Sequence, residues 1–314
     1  MGDDLTGMVD DIWADIQRRE LALEPIRYFS KYEPSAGKVR NIGIETPKQQ
    51  VCDYLAVDAL MPMLGAMIGH WQCACVPGRG QLTAKCALEK WRGDGLYFIQ
   101  GDIRKCFPSI EHGRLMARLE SRVGSKDVLW LVESLITTFG AGLDIGSYLS
   151  AWLCNWYLSF AYHTIEQMGK TRRGHHVPLV DHQVWYMDDF VLVGHDKRDL
   201  KSAMRVSVQY MRDELGLEAK PWKLCRWSQD EFPDLGGYAV LPDRTRVRGR
   251  TFLRARRAFL RQSAHPSTGR AARVVSMAGV VAHADCSQFV RSEHVHDTVR
   301  DSKQMVSEQA RGLK

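Results

Sequence analysis

The sequence predicts an α+β protein, and three observations carry that expectation. The run Val184-Trp185-Tyr186-Met187-Asp188-Asp189-Phe190-Val191-Leu192-Val193 is interrupted once, at two adjacent carboxylates, as a tight β-hairpin turning there would be. Leu96-Tyr97-Phe98-Ile99 is a second short apolar run suited to a buried strand, and Asp102 stands where that strand ends. Around these runs apolar residues recur at helical spacing, and from Thr251 the pattern is helical to the end.

In chain order, residues 5–22 predict an amphipathic helix and residues 31–37 a turn-rich link. Residues 38–44 alternate basic or polar with apolar, as a half-exposed strand does. Pro47 opens a helix to about His70, and Val51, Tyr54, Leu55, Val57, Leu60, Met61 and Met63 form a stripe read as core. A Pro77-Gly78-Arg79 turn precedes a helix over 82–92, and Pro108 opens the helical stretch after Asp102. Residues 126–139 are helical, and a long helix runs through Trp156 and Tyr162. Residues 170–182 are a basic, Pro- and Gly-bearing connection into the hairpin. Leu200, Met204, Val208, Met211 and Leu215 make a stripe that packs beneath the sheet. Residues 266–269 break the C-terminal helical pattern once.

Two buried carboxylates side by side repel each other and lose hydration, so a fold that keeps Asp188 and Asp189 in apolar surroundings calls for a compensating charge, most naturally a divalent cation. Asp102 precedes Asp188 by 86 residues, and neighbouring strands of one sheet would bring them together. Three carboxylates converging at strand ends suit Mg²⁺, which takes oxygen ligands and shares its site with substrate phosphates.

With 314 residues, 45% hydrophobic and 25% charged, the chain has the composition of a soluble globular protein. No apolar stretch approaches the roughly 20 residues that span a bilayer, and the acidic start Met1-Gly2-Asp3-Asp4 lacks the features of a secretory signal, so no membrane association and a cytoplasmic location are expected. Eight cysteines fit that compartment as free thiols; Cys52, Cys106, Cys154 and Cys225 stand among apolar or helical neighbours. Cys73, Cys75 and Cys86 lack the paired ligand spacing of a structural zinc site, and His175, His176 and His182, a second possible metal cluster, sit in a basic, Gly- and Pro-containing connection and read as solvated. The net charge is +6, yet the thirty residues from Leu241 to Arg270 hold nine arginines and one acid, a local +8 that leaves −2 for the rest. So concentrated a basic segment, interleaved with Phe252, Leu253, Phe259 and Leu260, is the footprint of a nucleic-acid-binding surface.

Tyr-Met-Asp-Asp after an apolar strand, with Asp102-x-x-x-x-Phe107 upstream, resembles motifs C and A of reverse transcriptases, and further blocks in the same order extend the resemblance from about Lys38 to Gln288. It implies a right-hand polymerase fold with fingers, an antiparallel palm sheet backed by helices, and a helical thumb, divided as fingers and palm over 1–250 and thumb over 251–314. It implies RNA-directed DNA polymerase chemistry with two Mg²⁺ ions, or Mn²⁺ as a substitute, held by Asp102, Asp188, Asp189 and the Ile103 carbonyl. The partners implied are an RNA template, a DNA or RNA primer and deoxynucleoside triphosphates. Lys38 and Arg40 match fingers positions that meet the triphosphate, although they also read as charges on an exposed edge. Phe107 matches the residue that walls the nucleotide's 2′ carbon, and it also suits ordinary packing. Gly146 and Ser150 match the Gly-x-x-x-Ser block behind the templating base pair. Lys220 and Lys223 both fit the motif D lysine near the pyrophosphate, and spacing does not choose between them. Arg79 either contacts phosphate or caps its turn. Gly236, Gly237 and Tyr238 match the block that positions the primer end, and Arg254, Arg256 and Arg257 belong to the basic surface expected to hold primer and template.

Most reverse transcriptases carry Gln before the motif B glycine and Pro after the serine. Ile145 at the first position instead resembles the enzymes of diversity-generating retroelements and their bacterial relatives, which implies a small basic accessory protein as partner. Ala151 and Asp144 depart from that subfamily's usual Gln and Pro. An antiviral-defence reverse transcriptase shares every one of these motifs. A non-catalytic RNA-binding subunit would be expected to have lost one of the three carboxylates, and all are present.

Overall fold

A computed structural model describes residues 2–33, 37–93 and 97–312, with side chains from Gly7 onward except those of Glu33 and Lys38. Helix α1 (Gly2–Arg18) precedes an antiparallel pair, β1 (Arg27–Glu33) and β2 (Lys38–Ile44), registered from Arg27↔Ile44 to Glu33↔Lys38. Thr46 then caps α2 (Pro47–Met67): its hydroxyl accepts from Gln49 N at 3.3 Å, and Pro47 takes a first-turn position where no N–H is needed. Next come α3 (Gln81–Trp91), β3 (Tyr97–Asp102), the single turn α4 (Cys106–Ser109), α5 (His112–Glu120), α6 (Lys126–Ile136) and α7 (Tyr148–Gln167). The hairpin β4 (Gly169–Arg172) and β5 (His175–Pro178) leads into β6 (His182–Tyr186), β7 (Asp189–Gly194) and α8 (Lys197–Leu215). Strands β8 (Leu224–Arg226), β9 (Asp234–Leu235), β10 (Tyr238–Val240) and β11 (Thr245–Val247) are short, and α9 (Gly249–Ala264), α10 (Thr268–Ala282), α11 (Ser287–Ser292) and α12 (Val295–Gly312) follow.

The central sheet has the order β6-β7-β3-β8, antiparallel throughout. Side chains alternate between its faces with the period of a strand. Ile99, Trp185, Phe190 and Leu192 join the large core under α2, α7 and α8. Phe98, Val184, Val191 and Val193 join a second core against α3 and Trp227. Both faces are covered, which is why β7 reads as an unbroken apolar run rather than an alternating one. Helices α9 to α12 pack around a cluster of their own, with Phe259 and Phe289 at its centre.

Several sequence expectations need correction. The first helix ends at Arg18, and β1 occupies part of the stretch expected to be a link, because β2 gives Lys31 and Tyr32 backbone partners that local sequence does not reveal. The connection over 170–182 is itself a hairpin followed by the start of β6. On α2 the buried stripe is Cys52, Ala56, Val57, Leu60 and Leu64, the side facing α6 and α7, whereas Tyr54 is 59% exposed and Leu55 39%. Tyr54 instead stacks on Tyr148, ring centroids 4.3 Å apart.

Candidate active site

The pairing of β3 with β7 sets Asp102 directly across from Asp189, and Ile103 N donates to the Asp188 carbonyl at 3.1 Å. Strands β6 and β7 close at Tyr186↔Asp189, so only Met187 and Asp188 form the turn. A two-residue hairpin link wants positive φ at its first position, which normally selects glycine. Met187 takes φ 55° there, a backbone state that costs a non-glycine residue on the order of 1–3 kcal/mol and is commonly held at functional sites.

The carboxylates show the expected electrostatic conflict. Burial, then the charges of Asp188 and Asp102, push Asp189 up to about 7, against opposition from Arg248 and Lys220. Burial likewise raises Asp188, with Asp102 adding to it and Lys220 and Arg40 opposing. Asp102 Oδ1 is buried with no donor. Its Oδ2 accepts from Lys220 Nζ at 2.6 Å. Among the described residues no three His, Cys, Asp or Glu side chains form a ready-made ion cage, and Lys220 supplies the positive charge on Asp102. An unpartnered buried carboxylate oxygen, two further raised carboxyls and an all-oxygen donor set are what a hard divalent cation would satisfy.

Backbone pairing fixes Lys220. Its N–H donates to the Asp102 carbonyl at 2.8 Å, Arg104 N donates to the Glu218 carbonyl at 2.8 Å, and Ile103 bridges Ala219. Lys223 Nζ instead bonds Glu231 at 2.8 Å. Of the two lysines that spacing left open, Lys220 is the one on the carboxylates.

The segment after Asp102 folds against the loop that enters α7. Leu143 N donates to the Phe107 carbonyl at 2.9 Å, and His112 Nε2 lies 2.8 Å from the Gly142 carbonyl. Phe107 is half-buried beside this loop. Gly146 has φ 121°, and a Cβ there would stand 2.8 Å from the Gly43 carbonyl, so the loop passes β2 closely enough to require glycine. Ser150 is buried, accepts from Asp144 N at 3.3 Å and donates its own N–H to Ser147 Oγ at 3.0 Å. Arg40 on β2 is exposed, is close enough for its charge to act on Asp188, and is not free of other interactions. The Lys38 side chain lies outside the described residues.

Gly236 and Gly237, both at positive φ, make the turn between β9 and β10. Tyr238 is buried, and its hydroxyl donates to the Val280 carbonyl at 3.3 Å. Arg79 Nη1 donates to the carbonyls of Gly69 and Gln72, at 2.7 and 3.2 Å, which fits the capping role. Sequence reasoning missed Arg248 and Asp234: the Arg248 Nε lies 2.8 Å from both Asp234 oxygens, and Gln100 on β3 bonds the Asp234 backbone at both N and O. This ties the glycine turn to β3, the strand that ends at Asp102. The only hint in the sequence was an acid two residues before the glycine pair.

The arginine segment does not present one face. Arg254, Arg257 and Arg261 of α9 converge with Arg270 and Arg273 of α10 on a groove of about 270 Å³ floored by Ala258 and Met277. Arg256 points to a different cleft of about 660 Å³, shared with Arg244, Arg246, Asp285 and Glu293. Successive helical residues are about 100° apart, and Arg256 and Arg257 accordingly line different clefts.

No helix of the described chain is long and apolar enough to cross a membrane. A search of curated proteins finds no match. The family model described as reverse transcriptase (RNA-dependent DNA polymerase) matches residues 30–239, two thirds of the chain and a span that includes Asp102, Asp188, Asp189 and Lys220. On that match the chain belongs to the reverse transcriptase family, and its activity is that of an RNA-directed DNA polymerase, a nucleotidyltransferase.

Proposed function

We propose that the protein copies an RNA template into DNA by in-line phosphoryl transfer at Asp102, Asp188 and Asp189, as the reverse transcriptase of a diversity-generating retroelement. The observation that carries the catalytic assignment is the register that sets Asp102 opposite Asp189 and leaves Asp102 Oδ1 buried without a donor. In this reading the three carboxylates and the Ile103 carbonyl would hold two Mg²⁺ ions. The chemistry such ions supply is activation of the primer 3′-hydroxyl and neutralisation of the departing pyrophosphate. In the same reading Lys220 would meet the triphosphate from beside the carboxylates, and Lys38 and Arg40 are the residues that match the triphosphate-binding positions of the fingers. Gly146 and Ser150 shape the loop behind the templating pair. The Gly236-Gly237 turn, held by Arg248 and Asp234, positions the primer end. Residues 1–250 then act as fingers and palm and 251–314 as thumb, supported by the separate core of α9 to α12.

The retroelement assignment rests on Ile145 before Gly146, and it carries with it a small basic accessory protein as partner. The test of the activity is primer extension by purified protein on an RNA template with Mg²⁺; no extension with any primer would overturn it. A template repeat and a variable target gene beside the coding sequence would support the retroelement role, and their absence would favour antiviral defence.

Phe107 supplies a separate test. Replacing it with Ala or Val opens the wall beside the nucleotide's 2′ carbon, and ribonucleotide incorporation is expected to rise by about tenfold or more relative to deoxynucleotide, the scale of one to three kcal/mol of steric discrimination. Competition between the two triphosphates in single-nucleotide extension reads the ratio. An unchanged ratio would mean that another group excludes the ribose hydroxyl.

A further inference from the structure

Glu45 and Asp53 are the two carboxylic acids enclosed by the protein among the described residues, and no part of the proposed chemistry uses them. Asp53 stands on α2, fully buried. Its Oδ2 accepts from Ser147 Oγ at 2.7 Å and from Leu149 N at 3.0 Å, both at the start of α7. Glu45 follows β2 directly and lies within hydrogen-bonding reach of Asp53. Asp53 Oδ1 and Glu45 Oε1 are both buried with no donor. Neither acid is paired with Lys or Arg among the described residues. The ionisable groups that act on the pair or respond to it are Asp144, bonded to Tyr28, and Cys52, whose thiol is pushed up to about 11 by burial, with the Asp53 charge adding to it and Lys48 opposing.

Two ionised carboxylates cannot share a dry site, and two neutral ones would forfeit the charge that suits a helix N-terminus. One proton satisfies both. Asp53 as the anion faces the first turn of α7 and accepts from Ser147, Leu149 and a protonated Glu45, which uses the orphaned oxygens. Burial, followed by the Asp53 charge, pushes Glu45 up to about 8, in agreement with that arrangement.

The pair spans the junction where strand and loop touch. Gly43 N donates to the Ile145 carbonyl at 3.1 Å, and Gly146 passes the Gly43 carbonyl closely. Glu45 and Ser147 stand two residues beyond that contact on one side and the other. We propose that Glu45 and Asp53 share a single proton and act as a positioning clamp, fixing the strand that carries Arg40 against the loop and helix that carry Gly146 and Ser150. The clamp rests on the reading that these residues embrace a nucleotide, and it acts on nucleotide binding without touching the reacting atoms.

The test compares wild type with Glu45→Gln, whose amide donates to Asp53 at any pH, and Glu45→Ala, which cannot donate. In primer extension on RNA, Glu45→Ala is expected to raise KM for deoxynucleotide about tenfold with kcat changed less than about threefold, and Glu45→Gln to stay near wild type. Melting temperature tests the shared proton without activity. A carboxyl raised from 4.5 to about 8 holds its stabilising proton fully at low pH and loses it as pH rises through 8. Wild type should therefore lose more thermal stability between about pH 4.5 and about pH 8 than Glu45→Gln does. A wild-type KM in Glu45→Ala overturns the positioning role, and equal pH dependence in wild type and Glu45→Gln overturns the shared proton. If wild type extends no primer, the nucleotide reading falls and the positioning role with it, while the melting comparison still decides the proton.

Discussion

Asp188→Ala and Asp102→Ala are each expected to lower nucleotide incorporation by at least about a thousandfold while the protein stays folded. A lost cation ligand removes several kcal/mol of transition-state stabilisation, and each 1.4 kcal/mol is about tenfold in rate. Stability moves the other way or hardly at all. Asp188 is raised by burial and by Asp102, so its charge opposes folding in the absence of a cation, and its removal relieves that opposition. Asp102→Ala strands Lys220, but the lysine side chain is 39% exposed and can take up water. Single-nucleotide extension and thermal unfolding on the same preparations separate the two effects. Substantial extension by either variant would sink the assignment of these carboxylates. A large fall in melting temperature would mean that they serve the fold instead.

The hairpin that carries Asp188 and Asp189 was legible because its physics is local. An apolar run interrupted once, by two acids, has few folded solutions, and Tyr186↔Asp189 pairing with a two-residue turn is one of them. The partnership of Asp102 with Asp189 was legible as a possibility only, since register across 86 residues depends on the whole sheet. What stayed hidden depends on tertiary partners. Lys220 and Lys223 are indistinguishable in spacing, and it is the backbone pairing of Asp102, Ile103 and Arg104 with residues 218–220 that aims the first at Asp102. Tyr54 and Leu55 fit an apolar stripe as well as Cys52 and Ala56 do, and the side that is buried was settled by α6 and α7. Glu45 and Asp53 carry no sequence signal, because a lone Glu after a strand and a lone Asp in a helix are ordinary surface residues until burial makes them otherwise.

The second large effect concerns the arginines. The five that line the groove between α9 and α10 have no acid among the lining residues, and Arg270 is held there by its bond to the His265 carbonyl at 2.6 Å. In the cleft around Arg256, Asp285 and Glu293 offset the positive charge. Phosphate contacts should therefore concentrate in the first. Replacing Arg254, Arg257 and Arg273 with Gln is expected to weaken primer-template binding by a hundredfold or so at moderate salt, and to reduce the slope of log affinity against log salt by about three, roughly one per lost phosphate contact. The same treatment of Arg244, Arg246 and Arg256 should reduce the slope by about one or less, because arginines already offset by Asp285 and Glu293 neutralise fewer phosphates and so release fewer of the nucleic acid's condensed counterions. A set drawn from both faces, Arg254, Arg256 and Arg257, should fall between them. Fluorescence anisotropy titrations across a salt series measure all three. If the groove variant keeps the wild-type slope, these arginines are a solvated face, and the polymerase must hold its nucleic acid elsewhere.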